Sequence, residues 1–144
     1  MKVEDLIRSR SEIYSITEDM TVHDAARYLR EKQVRSVGVL RSSGELVGVV
    51  SQADISDKVA AENKCPAWMR VSEIMTSHPI TVPPGTHLDE CVRLMEKHGI
   101  YHLPVVAEGE TYRGMISAQD LLRVIASDEK ARADMLESFL FSGR

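Results

Sequence analysis

Apolar residues recur along this chain in two alternating rhythms, and the order of those rhythms is stated twice. Val22, Ala25, Ala26 and Leu29 fall at i, i+3, i+4 and i+7, which predicts a helix with one apolar face. Sixty-six residues on, Leu88, Cys91, Val92 and Met95 repeat the stripe in the same phase. Short β-rich runs flank each helix: Tyr14-Ser15-Ile16 and Ile80-Thr81-Val82 before, then two more after. Val37-Gly38-Val39-Leu40 turns through Arg41-Ser42-Ser43-Gly44 into Glu45–Val50, and Leu103-Pro104-Val105-Val106 turns through Ala107–Glu110 into Thr111–Ile116. Glycine in a short polar connection between apolar runs predicts a hairpin. Closing helices start at Ser51 and Ser117, so each half reads β-α-β-β-α. Residues 3–9 and Val71-Ser72-Glu73-Ile74-Met75 predict a short helix leading each half, with Thr21 and Thr86 as candidate N-caps of the long helices.

The expected organisation is a first repeat over 1–62, a linker over 63–70, a second repeat over 71–126 and a helical extension over 127–144. Either unit alone has too little surface to cover its own sheet, so two are expected to share a core. Trp68, in the join, is expected to pack over the junction. In the extension, Met135, Leu136, Phe139 and Leu140 form an apolar stripe with no counterpart in the first repeat, free to fold back or to pair with a second chain.

The repeat also duplicates chemistry. Gly48-Val49-Val50-Ser51-Gln52-Ala53-Asp54-Ile55 and Gly114-Met115-Ile116-Ser117-Ala118-Gln119-Asp120-Leu121 share glycine, serine, aspartate and a following aliphatic residue in register. Serine at a helix start can aim its hydroxyl and free backbone N–H groups at an anion. Aspartate three residues on carries two acceptor oxygens, enough for both hydroxyls of a ribose. Glycine would let a ligand approach the preceding strand. The same Ser-x-x-Asp spacing is also a capping box; capping and binding are compatible.

Composition narrows the function classes. At 144 residues, 43% hydrophobic and 28% charged, the chain is ordinary for a globular protein. A formal charge of −4 gives no broad footprint for nucleic acid. No apolar run approaches the roughly 20 residues that span a bilayer, and Met1–Asp5 opens on charge rather than on an apolar signal core. Cys65 and Cys91 make neither a disulfide framework nor a zinc knuckle, so a reducing cytoplasm is expected; Cys91, in the place of Ala25, is expected in the core. Nothing predicts catalysis or a metal. There is no Gly-x-Ser-x-Gly elbow, no His-Glu-x-x-His among the five histidines, and no Gly-x-x-x-x-Gly-Lys-Ser/Thr phosphate loop.

The paired β-α-β-β-α pattern, the twice-used Gly-aliphatic-x-Ser-x-x-Asp-aliphatic motif, Val-Ser-Glu-Ile-Met at 71–75 and His98-Gly99-Ile100-Tyr101-His102-Leu103-Pro104-Val105-Val106 together resemble a tandem cystathionine-β-synthase (CBS) domain pair. The resemblance covers residues 3–126. It implies an α/β (α+β) fold of two repeats packed with pseudo-twofold symmetry, and a regulatory module rather than an enzyme. It further implies adenosine-containing ligands in clefts between the repeats: AMP, ADP or ATP, NAD or S-adenosylmethionine, with AMP or ATP favoured and no catalytic cofactor. By the same resemblance Asp120 takes ribose hydroxyls, Ser117 faces ribose or phosphate, and Ile80, Thr81, Tyr101, His102, Leu103 and Pro104 line the base. Asp54, Ser51, Ser15, Ile16, Arg35, Ser36 and Val37 correspond in the other cleft, with Arg35 as a phosphate partner. Two positions depart from the family's commoner pattern: Gly38 stands opposite Pro104, and Ala53 replaces the polar or basic residue before the aspartate. A homodimer and a regulated protein partner are expected; an assembly module with empty clefts is the alternative.

Overall fold

A computed structural model describes residues 1–127 and 129–141. The chain forms two compact units, each closed by a helix that lies in sequence with the other repeat. The first unit contains Ile13–Pro79 and Gly109–Tyr112; the second contains Met1–Glu12, Ile80–Glu108 and the described residues from Arg113 onward.

In the first unit, β1 (Ser15–Thr17), β2 (Ser36–Leu40), β3 (Leu46–Ser51) and β4 (Thr76–Ser77) form one sheet in that order. β1 runs parallel to β2, with Ile16 opposite Val39, and β2 and β3 make the expected antiparallel hairpin. Its turn closes through the Arg41 N–H on the Glu45 carbonyl (2.9 Å), with Gly44 at φ +90°. Helix α2 (Val22–Lys32) buries Val22, Ala25 and Leu29, and the Thr21 hydroxyl caps it by accepting from the Asp24 N–H (3.1 Å). The core joins these to Ile16, Val37, Val39 and Val50. Helix α3 (Gln52–Ile55) widens at once into a π-helical stretch, Ser56–Ala60, which the repeat pattern does not anticipate.

The second unit contains α1 (Val3–Arg8), α5 (Leu88–His98), β5 (His102–Ala107), most of β6 (Thr111–Ser117), α6 (Ala118–Ser127) and α7 (Glu129–Leu140). Helix α5 buries the predicted Leu88, Cys91, Val92 and Met95. Its N-cap is His87, which makes no side-chain cap, so Thr86 does not take the role expected of it. His87, not Thr86, is the counterpart of Thr21 in the 66-residue register. Ile80-Thr81-Val82 is also not a strand; a single parallel bridge joins Val82 to Val105. The Val82 N–H donates to the Pro104 carbonyl and the Val106 N–H to the Val82 carbonyl, both at 3.0 Å. One step back the ladder would need an N–H from Pro104, which has none. Gly38, in the corresponding place, keeps its N–H, and β1 extends accordingly.

The leading helices are exchanged between repeats. The Val3 N–H donates to the Thr86 carbonyl (2.8 Å) and the Glu4 N–H to Pro84 (2.9 Å), placing Val3 in the core of the second unit. Helix α4 (Val71–Ile74) does the same in the first unit: the Val71 N–H donates to Met20 (2.8 Å) and the Ser72 N–H to Glu18 (3.0 Å). Val71 and Ile74 are at most 1% exposed there.

Trp68, on a short 3₁₀ turn, is 86% exposed, contrary to the packing expected of it. Pro66 and the turn place the indole outward, and Met69 packs against the core instead. Helix α7 folds back on α5 and α6; among its described side chains Met135 and Ser138 are buried, while Leu136, Phe139, Leu140 and the following Phe141 are exposed. The expected stripe is therefore split, because Met135 and Leu136 are about 100° apart on a helix and cannot both face inward. Among the described residues, no helix is long and apolar enough to cross a membrane.

A Cβ on Gly38 would stand 2.6 Å from the Tyr112 ring, itself 7% exposed, so Gly38→Ala should cost about 1–3 kcal/mol, read as a lower urea midpoint at unchanged slope. Burial pushes the Cys91 thiol from its ordinary 9.0 up to about 12, with Glu90 and Asp89 adding to the rise. The unfolded chain then loses that proton first, so stability should be lost as pH rises from about 9 toward 12. A thiol reagent at pH 8 should label exposed Cys65 alone until the protein is unfolded.

Candidate functional site

Two equivalent helix starts carry the repeated motif. At the first, β3 ends on Ser51 and α3 begins. The Asp54 Oδ2 accepts from the Ser51 N–H (2.9 Å) and hydroxyl (3.1 Å), while the Asp54 N–H donates back to the Ser51 hydroxyl oxygen (3.2 Å). At the second, the same three bonds join Ser117 and Asp120 at 2.8, 3.0 and 3.1 Å. Both are capping boxes, as the Ser-x-x-Asp spacing predicts. In each, one carboxylate oxygen does all the capping, and the other faces a cation of the same helical stretch, Lys58 at Asp54 and Arg123 at Asp120.

The next backbone bond brings the rest of the motif to the site. The Gln52 N–H donates to the Arg35 carbonyl and the Ala118 N–H to the Tyr101 carbonyl, both at 2.9 Å. These positions are sixty-six residues apart in both donor and acceptor. Arg35-Ser36-Val37 is thereby held against the first helix start, and Ser36 lies opposite Ser51 in the β2–β3 ladder. Ser15 and Ile16 follow through the β1–β2 pairing. At the second start, Tyr101 through Pro104 enter β5, beside β6, and the Val82–Val105 bridge brings Ile80 and Thr81 to the same strand.

The side chains divide by face. Tyr101 is 72% exposed, Arg35 and Thr81 are exposed, and His102, Ile80 and Ser15 are half-buried. Ile16, Val37 and Leu103 belong to the cores, and Ser36 and Pro104 are buried. These five offer the helix starts mainly their backbone.

The motif glycines serve a different purpose from the one expected. A Cβ on Gly48 would stand 2.7 Å from Met75 Sδ, and one on Gly114 would stand 2.9 Å from Ile7 Cδ1. Each glycine makes room for the exchanged leading segment rather than for an approaching ligand. Gly114 also has φ +137°, where an L side chain is strained.

Sequence reasoning missed the cations. Lys58 Nζ lies 3.1 Å from Asp54 Oδ1 and donates to the Ile74 carbonyl (2.9 Å). Arg10 donates to Asp120 Oδ2 (2.9 Å) and to the Met115 carbonyl, and Arg123 lies 3.8 Å from Asp120 Oδ1. Lys58 and Arg123 could have been found from their spacing to the aspartates along the helix. Arg10 is 110 residues from its partner, and no local pattern announces it.

With this geometry in view, comparison with known proteins settles the family. The CBS domain family matches residues 3–61 and 71–127. The chain belongs to the CBS-domain family. The CBS domain pair of protein MJ0100, in complex with 5′-methylthioadenosine and S-adenosyl-L-methionine, superposes with a TM-score of 0.79 at 24% identity, over 88% of this chain and 97% of that one. The CBS domain protein PAE2072 from Pyrobaculum aerophilum, complexed with AMP, gives 0.82 at 22% identity, over 95% and 99%. Inosine-5′-monophosphate dehydrogenase from Nitrosopumilus maritimus (strain SCM1) is 32% identical over 75% of this CBS-domain chain, a match that spans only 21% of the enzyme.

Asp54→Ala and Asp120→Ala should each lower stability by about 0.5–2 kcal/mol through loss of a capping box, whereas Asn, which still accepts an N–H bond, should recover most of it. Thermal melts of the four variants without ligand check this; equal losses for Ala and Asn would show that the charge, not the cap, is what matters.

Proposed function

We propose that the chain is a regulatory module that binds adenosine-containing ligands at the Ser51/Asp54 and Ser117/Asp120 helix starts and presents the ligand-dependent state to a protein partner in the cytoplasm. The observation that carries this reading is the duplicated arrangement of capped carboxylate, serine hydroxyl and docked Arg35 or Tyr101 carbonyl. Each carboxylate offers acceptors to the two hydroxyls of a ribose. Backbone groups of 35–37 and 101–104 lie alongside to meet a base, which needs no particular side chain. The AMP, methylthioadenosine and S-adenosylmethionine named for the two structural neighbours fit the same chemistry. In this reading the ligand is sensed, not converted. It can regulate only by binding one conformation better than another.

A second reading concerns assembly. Leu136, Phe139, Leu140 and Phe141 expose a row of apolar side chains, from 47% to 79%. We infer a homodimer in which α7 meets a second copy around a twofold axis. Light scattering at tens of micromolar should give twice the chain mass, falling to a single chain in a Leu140→Glu, Phe141→Ser variant. A dimer that survives those changes would move the contact elsewhere, and a monomeric wild type would end the dimer reading.

For ligand binding, AMP at 100-fold excess over its Kd should add about 2.7 kcal/mol of apparent stability. For a chain of this size that is a rise of roughly 6–15 °C in Tm. Asp54→Asn and Asp120→Asn should each lose one calorimetric site while melting near the wild type without ligand. No heat and no Tm shift with AMP, ATP, NAD or S-adenosylmethionine would leave assembly as the chain's role.

A further inference from the structure

The two helix starts share their cap, but at one of them a third donor closes the carboxylate. Asp54 Oδ2 accepts from the Ser51 N–H and hydroxyl, and Lys58 stands on the other oxygen, 3.1 Å from Oδ1. Asp120 Oδ2 accepts the same two bonds from Ser117 and a third from Arg10, at 2.9 Å. A carboxylate oxygen has two lone pairs, so three donors saturate it. Arg123 lies 3.8 Å from Oδ1, beyond hydrogen-bond distance. A ribose that spreads two hydroxyls over both oxygens therefore finds Oδ1 open and Oδ2 taken.

Arg10 does not belong to the site's own repeat. Helix α1 ends at Arg8, and Ser11, Glu12 and Ile13 run on, exposed and without regular structure, toward β1. There Ser15 and Ile16 pair with β2, the strand that carries Ser36 opposite Ser51. The Arg10 guanidinium also donates to the Met115 carbonyl of β6, and its side chain is only 31% exposed. Gly114 leaves β6 bare where the segment crosses it: a Cβ there would stand 2.9 Å from Ile7 and 3.8 Å from the same guanidinium.

We propose that Arg10 is a latch on the Asp120 site: a ribose binds there by displacing it, and the displacement frees the segment that leads into β1. The proposal rests on the reading that Asp120 holds the ribose. A hydroxyl that takes Oδ2 must break the Arg10 bond, so apparent affinity is lower than the site's intrinsic affinity. The broken bond is also the differential contact that a sensor requires, present in one state and absent in the other. The Asp54 site has no such latch, because Lys58 lies on the site's own helical stretch and leaves Oδ2 to the cap.

Adenosine, which carries the ribose without a phosphate, is the probe. Calorimetry compares the full wild-type chain with Arg10→Met, which keeps the stem and removes the donors. Binding at the Asp120 site should tighten about fivefold or more in Arg10→Met, through loss of one partly covered charge-assisted bond. Arg10→Lys should fall between the two and gives a second measurement should Arg10→Met fold poorly. The Asp54 site, identified as the one that survives Asp120→Ala, should stay within about twofold. The ¹H–¹⁵N heteronuclear NOE of Ser11, Glu12 and Ile13 reads the release. It should fall in the wild type when adenosine is added, and be low in Arg10→Met from the outset. Adenosine affinity that is unchanged or weaker in Arg10→Met overturns the latch, as does a wild-type NOE that bound adenosine leaves unaltered. Adenosine that binds at Asp120 in neither the wild type nor the variants ends the ribose reading and the latch with it; the other failures end the latch alone.

Discussion

Two pairs of backbone hydrogen bonds decide how this chain folds. Val3 and Glu4 donate to Thr86 and Pro84, and Val71 and Ser72 donate to Met20 and Glu18. Each pair docks a leading helix beside the long helix of the other repeat and sends an apolar side chain, Val3 or Val71, fully into that core. A single β-α-β-β-α repeat leaves that flank uncovered. The exchange also explains the glycines before each helix start. Ile7 and Met75, at the ends of the exchanged segments, fill the space a side chain at 114 or 48 would need.

The same segment that closes the second unit carries the site's distinguishing group. Arg10 follows α1 directly, so the docking of Val3 and Glu4 places its guanidinium over Asp120. The corresponding segment after α4 contributes no such group among the bonds that hold Asp54; Lys58, on the site's own helix, takes the role. One repeat pattern thus yields two helix starts with a common cap and different electrostatics. The cap holds each carboxylate by two hydrogen bonds, from the serine N–H and the serine hydroxyl, at 2.8–3.1 Å.

What could be read from the sequence was what depends on neighbours a few residues away or on the fixed repeat. The stripes of α2 and α5, the hairpin at Gly44 and the Ser-x-x-Asp caps are of this kind. So is the buried place of Cys91, inferred from Ala25. What could not be read depends on distant partners or on small offsets. Thr86 resembles a cap but stands one position before the repeat's cap position. Pro104 silences a ladder bond that Gly38 retains, so one predicted strand shrinks to a bridge. Gly38 itself is set by the Tyr112 ring, 74 residues on. Trp68 turns outward, and Met135 and Leu136 take opposite environments on α7. Arg10 shows the same limit at the site: nothing within its own stretch of chain points to Asp120.

The central claim is that the capped carboxylates are ligand sites as well as helix caps. The most direct measurement is an NMR titration of the ¹⁵N-labelled full chain with AMP. The account predicts that amide shifts concentrate at Ser51, Asp54, Ser117 and Asp120, with Gln52 and Ala118 following because their N–H groups bond the Arg35 and Tyr101 carbonyls. Shifts confined to the surface near the start of α5 and α7, or no shifts at millimolar AMP, would contradict it.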